Sequence, residues 1–307
     1  MCPGQGAQRV GMGKDLAERF PAARETFQRI DDALGADLSR TMWEGPESDL
    51  TLTHNTQPAI LAHSAAVWAV VGDRLGPGVR AAAGHSLGEY SAYLAIGAIT
   101  VEAAARLVRR RGELMHEAGT RRPGAMAAVL GLPTEDVEAC CAEASQGEEV
   151  AVAANLNAPD QTVVSGDPAA VERAGEGCKR RGAKRVLPLK VSGAFHSPLM
   201  QPAVAGLSQA LAAATFGEPR VPVVANASAG PVRSSAEARR LLAEQLTAPV
   251  RWVECMRQAA TMAEGATFVE IGPGNVLSGL LKRIVPGVPS MTLGTADEIQ
   301  KFLESEG

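Results

Sequence analysis

The sequence lacks the features of a membrane, secreted or nucleic-acid-binding protein. Its apolar runs all fall short of the roughly 20 residues that a helix needs to cross a bilayer. The first residues carry no apolar stretch of the kind found in signal peptides. The formal net charge of -4 gives no basic excess for binding a phosphate backbone. We therefore expect a cytoplasmic protein with no membrane or nucleic-acid partner.

Cysteine is also scarce and unpaired in its spacing. The five cysteines include no C-x-x-C pair, which excludes a recognisable zinc motif, and their odd number argues against a disulfide framework. They are Cys2, Cys140, Cys141, Cys178 and Cys255. A reducing compartment fits this usage, and we expect no metal and no redox cofactor.

The 307 residues, 46% hydrophobic and 21% charged, suffice for a large buried core. Outside residues 124–191, strand-like and helix-like segments alternate, which predicts a parallel α/β sheet. Within 124–191 the predicted order is strand-helix-strand-strand-helix-strand, typical of a ferredoxin-like α+β module. We predict a core made of residues 1–123 and 192–307, with residues 124–191 inserted as a subdomain.

A nucleophile-elbow pattern, Gly84-x-Ser86-x-Gly88, lies between a predicted strand and a predicted helix. An ordinary turn with a capping serine has the same pattern. In an elbow, the backbone N-H of Leu87 would lie at the first turn of the helix and favour a developing oxyanion. The glycine-rich turn around Gln5 is a candidate for the second donor, although such a segment can be merely a loop.

A serine nucleophile needs a base, and the sequence offers five histidines, His54, His63, His85, His116 and His196. His85 is expected to point to the opposite side of the turn from Ser86, and His54 and His63 lie in apolar helical sequence. We therefore interpret these three histidines as structural residues. A helical projection places His116 about 120° from the apolar face, where we expect it to be solvated. His196 remains, in a glycine- and proline-flanked loop of the kind that carries catalytic groups.

Arg111 lies in the centre of an apolar helical face, whereas Arg109 and Arg110 fall on the opposite, solvated side. A buried unpaired charge costs about 3–5 kcal/mol, so Arg111 requires a partner. In a structural interpretation, Arg111 pairs with an internal Asp or Glu, or its side chain reaches the surface. In a functional interpretation, its guanidinium binds a carboxylate of the substrate.

A second glycine-rich turn, Gly272-Pro273-Gly274, follows a predicted strand at 267–271 and precedes a predicted helix that begins at Val276. Its glycines would allow a ligand to approach the backbone closely. A plain turn before the helix explains them better and is the interpretation that we favour.

Six motifs in this order resemble those of malonyl-CoA:acyl carrier protein transacylases. They are Pro3-Gly4-Gln5-Gly6, Thr56-Gln57-Pro58-Ala59, Gly84-His85-Ser86-Leu87-Gly88-Glu89-Tyr90, Arg111-Gly112, Gly193-Ala194-Phe195-His196-Ser197 and Gly272-Pro273-Gly274. The resemblance spans nearly the whole chain. It implies an α/β-hydrolase-like core with a ferredoxin-like insert.

The resemblance also implies roles for site residues. Ser86 would be the nucleophile and His196 its base, with the backbone N-H groups of Gln5 and Leu87 as the oxyanion hole. Arg111 matches the arginine that binds the malonyl carboxylate, and Gln245 matches a glutamine whose backbone carbonyl orients the histidine. Phe195 is typical of malonyl selectivity, and Met115, on the face of Arg111, is expected to bind substrate.

One departure from the family concerns the segment before Pro3. The family has an apolar strand there, whereas only Met1 and Cys2 precede Pro3 in this sequence. We expect that strand to be truncated or supplied differently, which would affect the loop that holds Gln5.

The predicted activity is transfer of malonyl from malonyl-CoA to the phosphopantetheine thiol of an acyl carrier protein in fatty-acid biosynthesis, by a monomer. A trans-acting acyltransferase of polyketide synthesis would use the same chemistry. A serine esterase or thioesterase shares the elbow but has no reason for an inward arginine. An inactive carrier-docking module is the remaining alternative.

Overall fold

The computed structural model describes residues 1–191 and 193–305. The helices there are α1 (Lys14–Arg19), α2 (Pro21–Leu34), α3 (Leu38–Glu44), α4 (Glu47–Leu50), α5 (Thr53–Leu75), α6 (Gly88–Ala95), α7 (Val101–Arg121), α8 (Thr134–Ala144), α9 (Pro168–Arg180), α10 (Gln201–Ala213), α11 (Ser235–Glu244), α12 (Trp252–Met262), α13 (Val276–Ile284) and α14 (Ala296–Glu304). The strands are β1 (Ala82–Ala83), β2 (Ala125–Leu130), β3 (Ala151–Ala158), β4 (Gln161–Gly166), β5 (Arg185–Pro188), β6 (Val223–Val224), β7 (Pro231–Val232), β8 (Phe268–Ile271) and β9 (Ser290–Leu293). None of the helices in these two ranges combines the length and apolarity that a membrane span requires.

The sheet of the core is built from parallel pairs joined by the first two residues. β1 runs parallel to β6, and β8 runs parallel to β9. On one side, the N-H of Cys2 donates to the carbonyl of Ala83 (3.0 Å). On the other side, the terminal amine of Met1 donates to the carbonyl of Val269 (2.7 Å), and the Met1 carbonyl accepts from the N-H of Ile271 (2.8 Å). Met1 and Cys2 therefore supply a strand between β1 and β8, which answers the expectation of a truncated strand.

Helices α5 and α7 pack more extensively on each other than any other pair of elements, α2 covers both, and α5 also contacts β8. α5 is apolar on most of its surface and is buried along much of its length, so it lies centrally. α7 is amphipathic, and its buried face includes Arg111 and Met115. The hydroxyl of Thr100 accepts from the N-H of Ala103 (3.3 Å), as expected for an N-cap.

The inserted segment has the predicted element order, and its sheet has the strand order β3-β4-β2-β5 with antiparallel neighbours. α8 and α9 pack together over this sheet around a separate apolar core. Cys140, Cys141 and Cys178 lie in that core as free, buried thiols. The ferredoxin-like prediction is therefore confirmed in its topology.

We propose that the subdomain comprises residues 124–191, with the rest of the chain as the core. At its first boundary, a Cβ on Gly124 would lie 2.4 Å from the Cβ of Ala194. The segments through which the chain enters and leaves the subdomain are therefore in contact. Ser192, at the second boundary, lies outside the described residues. Where β3 meets the core, the N-H of Leu156 donates to the carbonyl of Val250 (2.9 Å), and the N-H of Val250 donates to the carbonyl of Ala154 (2.8 Å).

Candidate active site

Ser86 occupies a sharp turn between β1 and α6. Its φ of 52° is left-handed, which is uncommon for a residue with a side chain. A Cβ on Gly84 would lie 1.9 Å from the carbonyl carbon of Gly88, and one on Gly88 would lie 2.1 Å from the carbonyl oxygen of Cys2. Glycine is required at both positions because the backbones touch. The N-H of Ser86 donates to Asn226 Oδ1 (2.7 Å), which fixes the turn.

His196 comes from the distant loop and lies directly beside Ser86. Its Nε2 is 2.8 Å from Ser86 Oγ, and its Nδ1 is 2.8 Å from the backbone carbonyl of Gln245. A carbonyl only accepts, so Nδ1 carries the proton and Nε2 is free to accept one from Ser86. Burial, followed by the nearby charge of Arg111, lowers the pKa of His196 to about 3. The imidazole is therefore neutral at physiological pH, as a base must be.

Two backbone N-H groups remain open near this pair. Leu87 lies at the N-terminus of α6, and neither its N-H nor that of Gln5 donates to a protein acceptor within the described ranges. The loop of Gln5 packs against the elbow so closely that a Cβ on Gly4 would lie 2.4 Å from the carbonyl oxygen of His85. The loop of Gln5 therefore packs against the elbow that carries Leu87.

Arg111 is 1% exposed and reaches the nucleophile. Its Nη2 donates to Ser86 Oγ (3.0 Å) and to Gln245 Oε1 (2.9 Å), and its Nη1 donates to Gln57 Oε1 (2.7 Å). All of these acceptors are neutral, and no carboxylate in residues 1–191 or 193–305 forms an ion pair with it. The structural alternative, a close internal Asp or Glu, does not account for this buried cation.

Met115 and Phe195 are both buried beside these groups. The Sδ of Met115, one turn beyond Arg111 on α7, accepts from Gln57 Nε2 at 3.3 Å. Phe195 precedes His196 and is 5% exposed. Met115 therefore contacts the same glutamine that binds Arg111.

Three polar residues at the site received no role in the sequence analysis: Gln57, Glu89 and Asn226. Glu89, 0% exposed, accepts through Oε2 from Gln245 Nε2 (2.7 Å) and from the N-H of Asn226 (3.0 Å). Burial raises its pKa to about 7 against the opposing effect of those hydrogen bonds. Asn226 lies just beyond the carboxyl end of β6, a usable signal because ligand sites form at the carboxyl ends of parallel strands.

The other histidines lie apart from the nucleophile. His85 Nε2 bonds Asn157 Oδ1 (2.7 Å), and its ring packs edge-on against Trp252. His63 is buried, and burial lowers its pKa to about 4. The prediction for His116 was wrong: it is half-buried, with its ring centroid 5.5 Å from that of His54. The start of α5 covers this side of α7, since Gly112 packs directly on the backbone of His54.

Comparison with known proteins places this geometry in a family. Residues 1–295 match the model of the acyl transferase domain. The chain is 42% identical to the malonyl CoA-acyl carrier protein transacylase of Bacillus subtilis over 99% of this chain and 95% of that protein. It is 43% identical to the Escherichia coli K12 protein of that name, over 98% and 97% of the two chains.

Solved structures agree with these matches. The acyl-carrier-protein-S-malonyltransferase of Bartonella henselae superimposes with a TM-score of 0.93 at 43% identity, covering 99% of this chain and 97% of that one. A malonyl-transacylase in complex with a type II PKS acyl-carrier protein gives the same TM-score of 0.93 at 43% identity, over 99% and 98%. The chain therefore belongs to the malonyl CoA-acyl carrier protein transacylase family of acyl transferases.

Proposed function

We propose that this chain transfers a malonyl group from malonyl-CoA to the phosphopantetheine thiol of an acyl carrier protein through a malonyl ester on Ser86. One observation carries the proposal: Ser86 Oγ lies 2.8 Å from His196 Nε2 and 3.0 Å from Arg111 Nη2. The same oxygen thus contacts a neutral base and a buried cation. That combination suits an acyl group with a free carboxylate.

In the first displacement, His196 Nε2 takes the hydroxyl proton while Ser86 Oγ attacks the thioester carbon. The open N-H groups of Leu87 and Gln5 would stabilise the oxyanion, each contributing about 3–4 kcal/mol. Coenzyme A leaves as the thiol, with the proton returned by His196. In the second displacement, the carrier thiol gives its proton to His196 and attacks the malonyl ester, which restores Ser86.

Arg111 would hold the malonyl carboxylate during both steps. Its guanidinium hydrogen-bonds to neutral acceptors in the described residues, so an incoming carboxylate would supply a directly bonded opposite charge. The carboxylate would replace the contact between Nη2 and Ser86 Oγ and free the hydroxyl for attack. Gln57 and Gln245 keep the guanidinium in place from the other sides. Phe195 and Met115 would line the pocket around the acyl chain.

We further propose that the enzyme acts as a monomer in the cytoplasm. A monomer is supported by the completeness of the site, since every group named above comes from one chain. A reducing compartment is supported by the cysteines, because all five are free and buried.

The decisive assay mixes the enzyme with malonyl-CoA, with and without a phosphopantetheinylated carrier protein, and follows malonate and malonyl-carrier by mass spectrometry. We expect malonyl-carrier to form rapidly and little malonate to be released when the carrier is absent. Rapid release of malonate, unaffected by carrier, would identify a thioesterase instead. Parallel assays with fatty-acid and polyketide carriers would separate the two biosynthetic settings, of which we propose the first.

A further inference from the structure

A buried carboxylate lies beneath the nucleophile without touching it. Glu89, in the first turn of α6, is 0% exposed, and its Oε2 is shared by two donors, Gln245 Nε2 at 2.7 Å and the backbone N-H of Asn226 at 3.0 Å. Its Oε1 has no hydrogen-bond partner in the part of the chain that the structure describes. The proposed mechanism gives this residue no role.

Each of its two donors belongs to a residue that orients a reacting group. Asn226 presents Oδ1 to the N-H of Ser86 at 2.7 Å and donates Nδ2 to the carbonyl of Gly84 at 2.8 Å, so it clamps the elbow from both sides. Gln245 presents its backbone carbonyl to His196 Nδ1 at 2.8 Å. One carboxylate oxygen therefore links the support of the nucleophile to the support of the base.

The side-chain amide of Gln245 is held at both ends. Its Oε1 accepts from Arg111 Nη2 at 2.9 Å, and its Nε2 donates to Glu89 at 2.7 Å and to the carbonyl of Ser86 at 3.1 Å. Gln245 is the C-cap residue directly after α11, and its N-H donates to the carbonyl of Leu241 (2.9 Å). Nε2 also donates to Asn226 Oδ1 at 3.3 Å, so without an acceptor at Glu89 the amide loses the shortest of its three donated hydrogen bonds. The backbone carbonyl of Gln245, which faces His196, is then less firmly held.

We propose that Glu89 is a positioning residue, whose carboxylate oxygen holds Asn226 and Gln245 so that Ser86 and His196 keep their reactive separation. This inference rests on the proposed function, because it concerns the same acylation of Ser86. The required property is an acceptor oxygen at the reach of a glutamate side chain. Glutamine retains that oxygen, aspartate falls one methylene short, and methionine has a similar length but no such acceptor.

The test compares steady-state malonyl transfer by Glu89→Gln, Glu89→Asp and Glu89→Met with wild type. Because misplacing reacting groups by about 1 Å costs roughly 100-fold, we expect Asp and Met to lower kcat about 100-fold. KM for malonyl-CoA should stay within about threefold, since the substrate contacts are unchanged. Glu89→Gln should remain within about fivefold of wild-type kcat, because it keeps the acceptor.

Glu270 provides a matched control. It is equally buried at 0% exposure and accepts two backbone donors, the N-H groups of Leu277 and Ser278, at 3.0 and 2.7 Å. Its variants Glu270→Gln and Glu270→Asp should keep wild-type kcat. Thermal melts identify which variants fold. The test requires only one of Glu89→Asp and Glu89→Met to fold.

The possible results separate cleanly. Wild-type kcat in a folded Glu89→Asp or Glu89→Met variant would overturn the positioning role, as would a loss confined to KM. A loss in Glu89→Gln as large as that in Glu89→Met would show that the charge matters rather than the acceptor, and would also overturn it. Failure of wild type itself to transfer malonyl would instead refute the proposed function.

Discussion

Two glycine-rich turns join strands to helices at the same edge of the core sheet, and only one of them presents a reactive group. In the elbow between β1 and α6, Ser86 takes the left-handed conformation at φ 52° and the N-H of Leu87 stays open. In the turn between β8 and α13, glycines take the positive φ values, 144° at Gly272 and 82° at Gly274. The second turn has no side chain at its strained positions.

The difference extends to the buried glutamate that accompanies each turn. Glu270, in β8, accepts from the N-H groups of Leu277 and Ser278 at the start of α13, so these two N-H groups are not available to a ligand. Glu89 faces away from the start of its helix and accepts from Gln245 and Asn226. A helix N-terminus thus becomes a candidate oxyanion site only where the fold leaves its donors unused.

The sharpest way to test this contrast is to remove the base from the elbow. His196→Ala should lower malonyl transfer by about 10²- to 10⁴-fold, because general-base catalysis contributes on that order. Single-turnover acylation of Ser86 measures the effect. His63→Ala, which removes another buried histidine away from the nucleophile, should lower stability and leave the acylation rate of the folded enzyme unchanged. Equal losses in both variants would remove His196 from the mechanism.

The cation beside the elbow gives the next largest expected effect. Arg111→Ala should lower kcat/KM for malonyl-CoA by about 100-fold or more, since a buried charge pair is worth about 3–5 kcal/mol. The loss for acetyl-CoA should be much smaller because acetyl carries no carboxylate. Arg110→Ala, on the exposed side of the same helix, is the control and should change neither rate. Equal losses for the two acyl groups would exclude a carboxylate clamp.

Glu89 should also make stability depend on pH. Its folded pKa of about 7 lies above the ordinary glutamate value of 4.5, so between these pH values the folded state keeps a proton that the unfolded chain has released. Stability therefore falls as pH rises through this window, by up to about 3 kcal/mol in total. Glu89→Gln lacks this effect. Urea unfolding at pH 5 and pH 8 measures it, and parallel behaviour of wild type and Glu89→Gln would contradict the prediction.

The smallest effect should come from the structural turn. Glu270→Ala leaves the N-H groups of Leu277 and Ser278 without their acceptor, which should cost about 1–3 kcal/mol of stability. The malonyl transfer rate of the folded enzyme should be unchanged. Chemical denaturation measures the expected loss of stability, and the transfer assay measures the rate. A lower rate at wild-type stability would show that the second turn also takes part in catalysis.

Much of this contrast could be predicted from the sequence. The glycines around Ser86 indicated a tight turn, and the helical projection placed Arg111 inward, because both features depend on local geometry. The topology of the inserted subdomain was equally predictable, since its order of elements is compatible with only a few topologies. The preference for a plain turn at Gly272-Pro273-Gly274 agrees with the way Glu270 occupies that helix terminus.

What the sequence could not show depends on long-range contacts. Glu89 looks like an ordinary acidic residue in a first helical turn, and only the arrival of Asn226 and Gln245 from distant segments gives it buried partners. The strand formed by Met1 and Cys2 is too short for any periodic pattern, and it exists because β1 and β8 flank it. The half-burial of His116 likewise depends on α5 crossing α7.

The central claim, that the elbow at Ser86 carries the acyl group, is tested most directly by intact-mass spectrometry after mixing with malonyl-CoA without carrier protein. We predict that wild type gains the mass of one malonyl group, mapped to Ser86 by peptide analysis, and that Ser86→Ala gains none. A malonyl adduct of equal occupancy on Ser86→Ala, or an adduct mapped to another residue in wild type, would contradict the account.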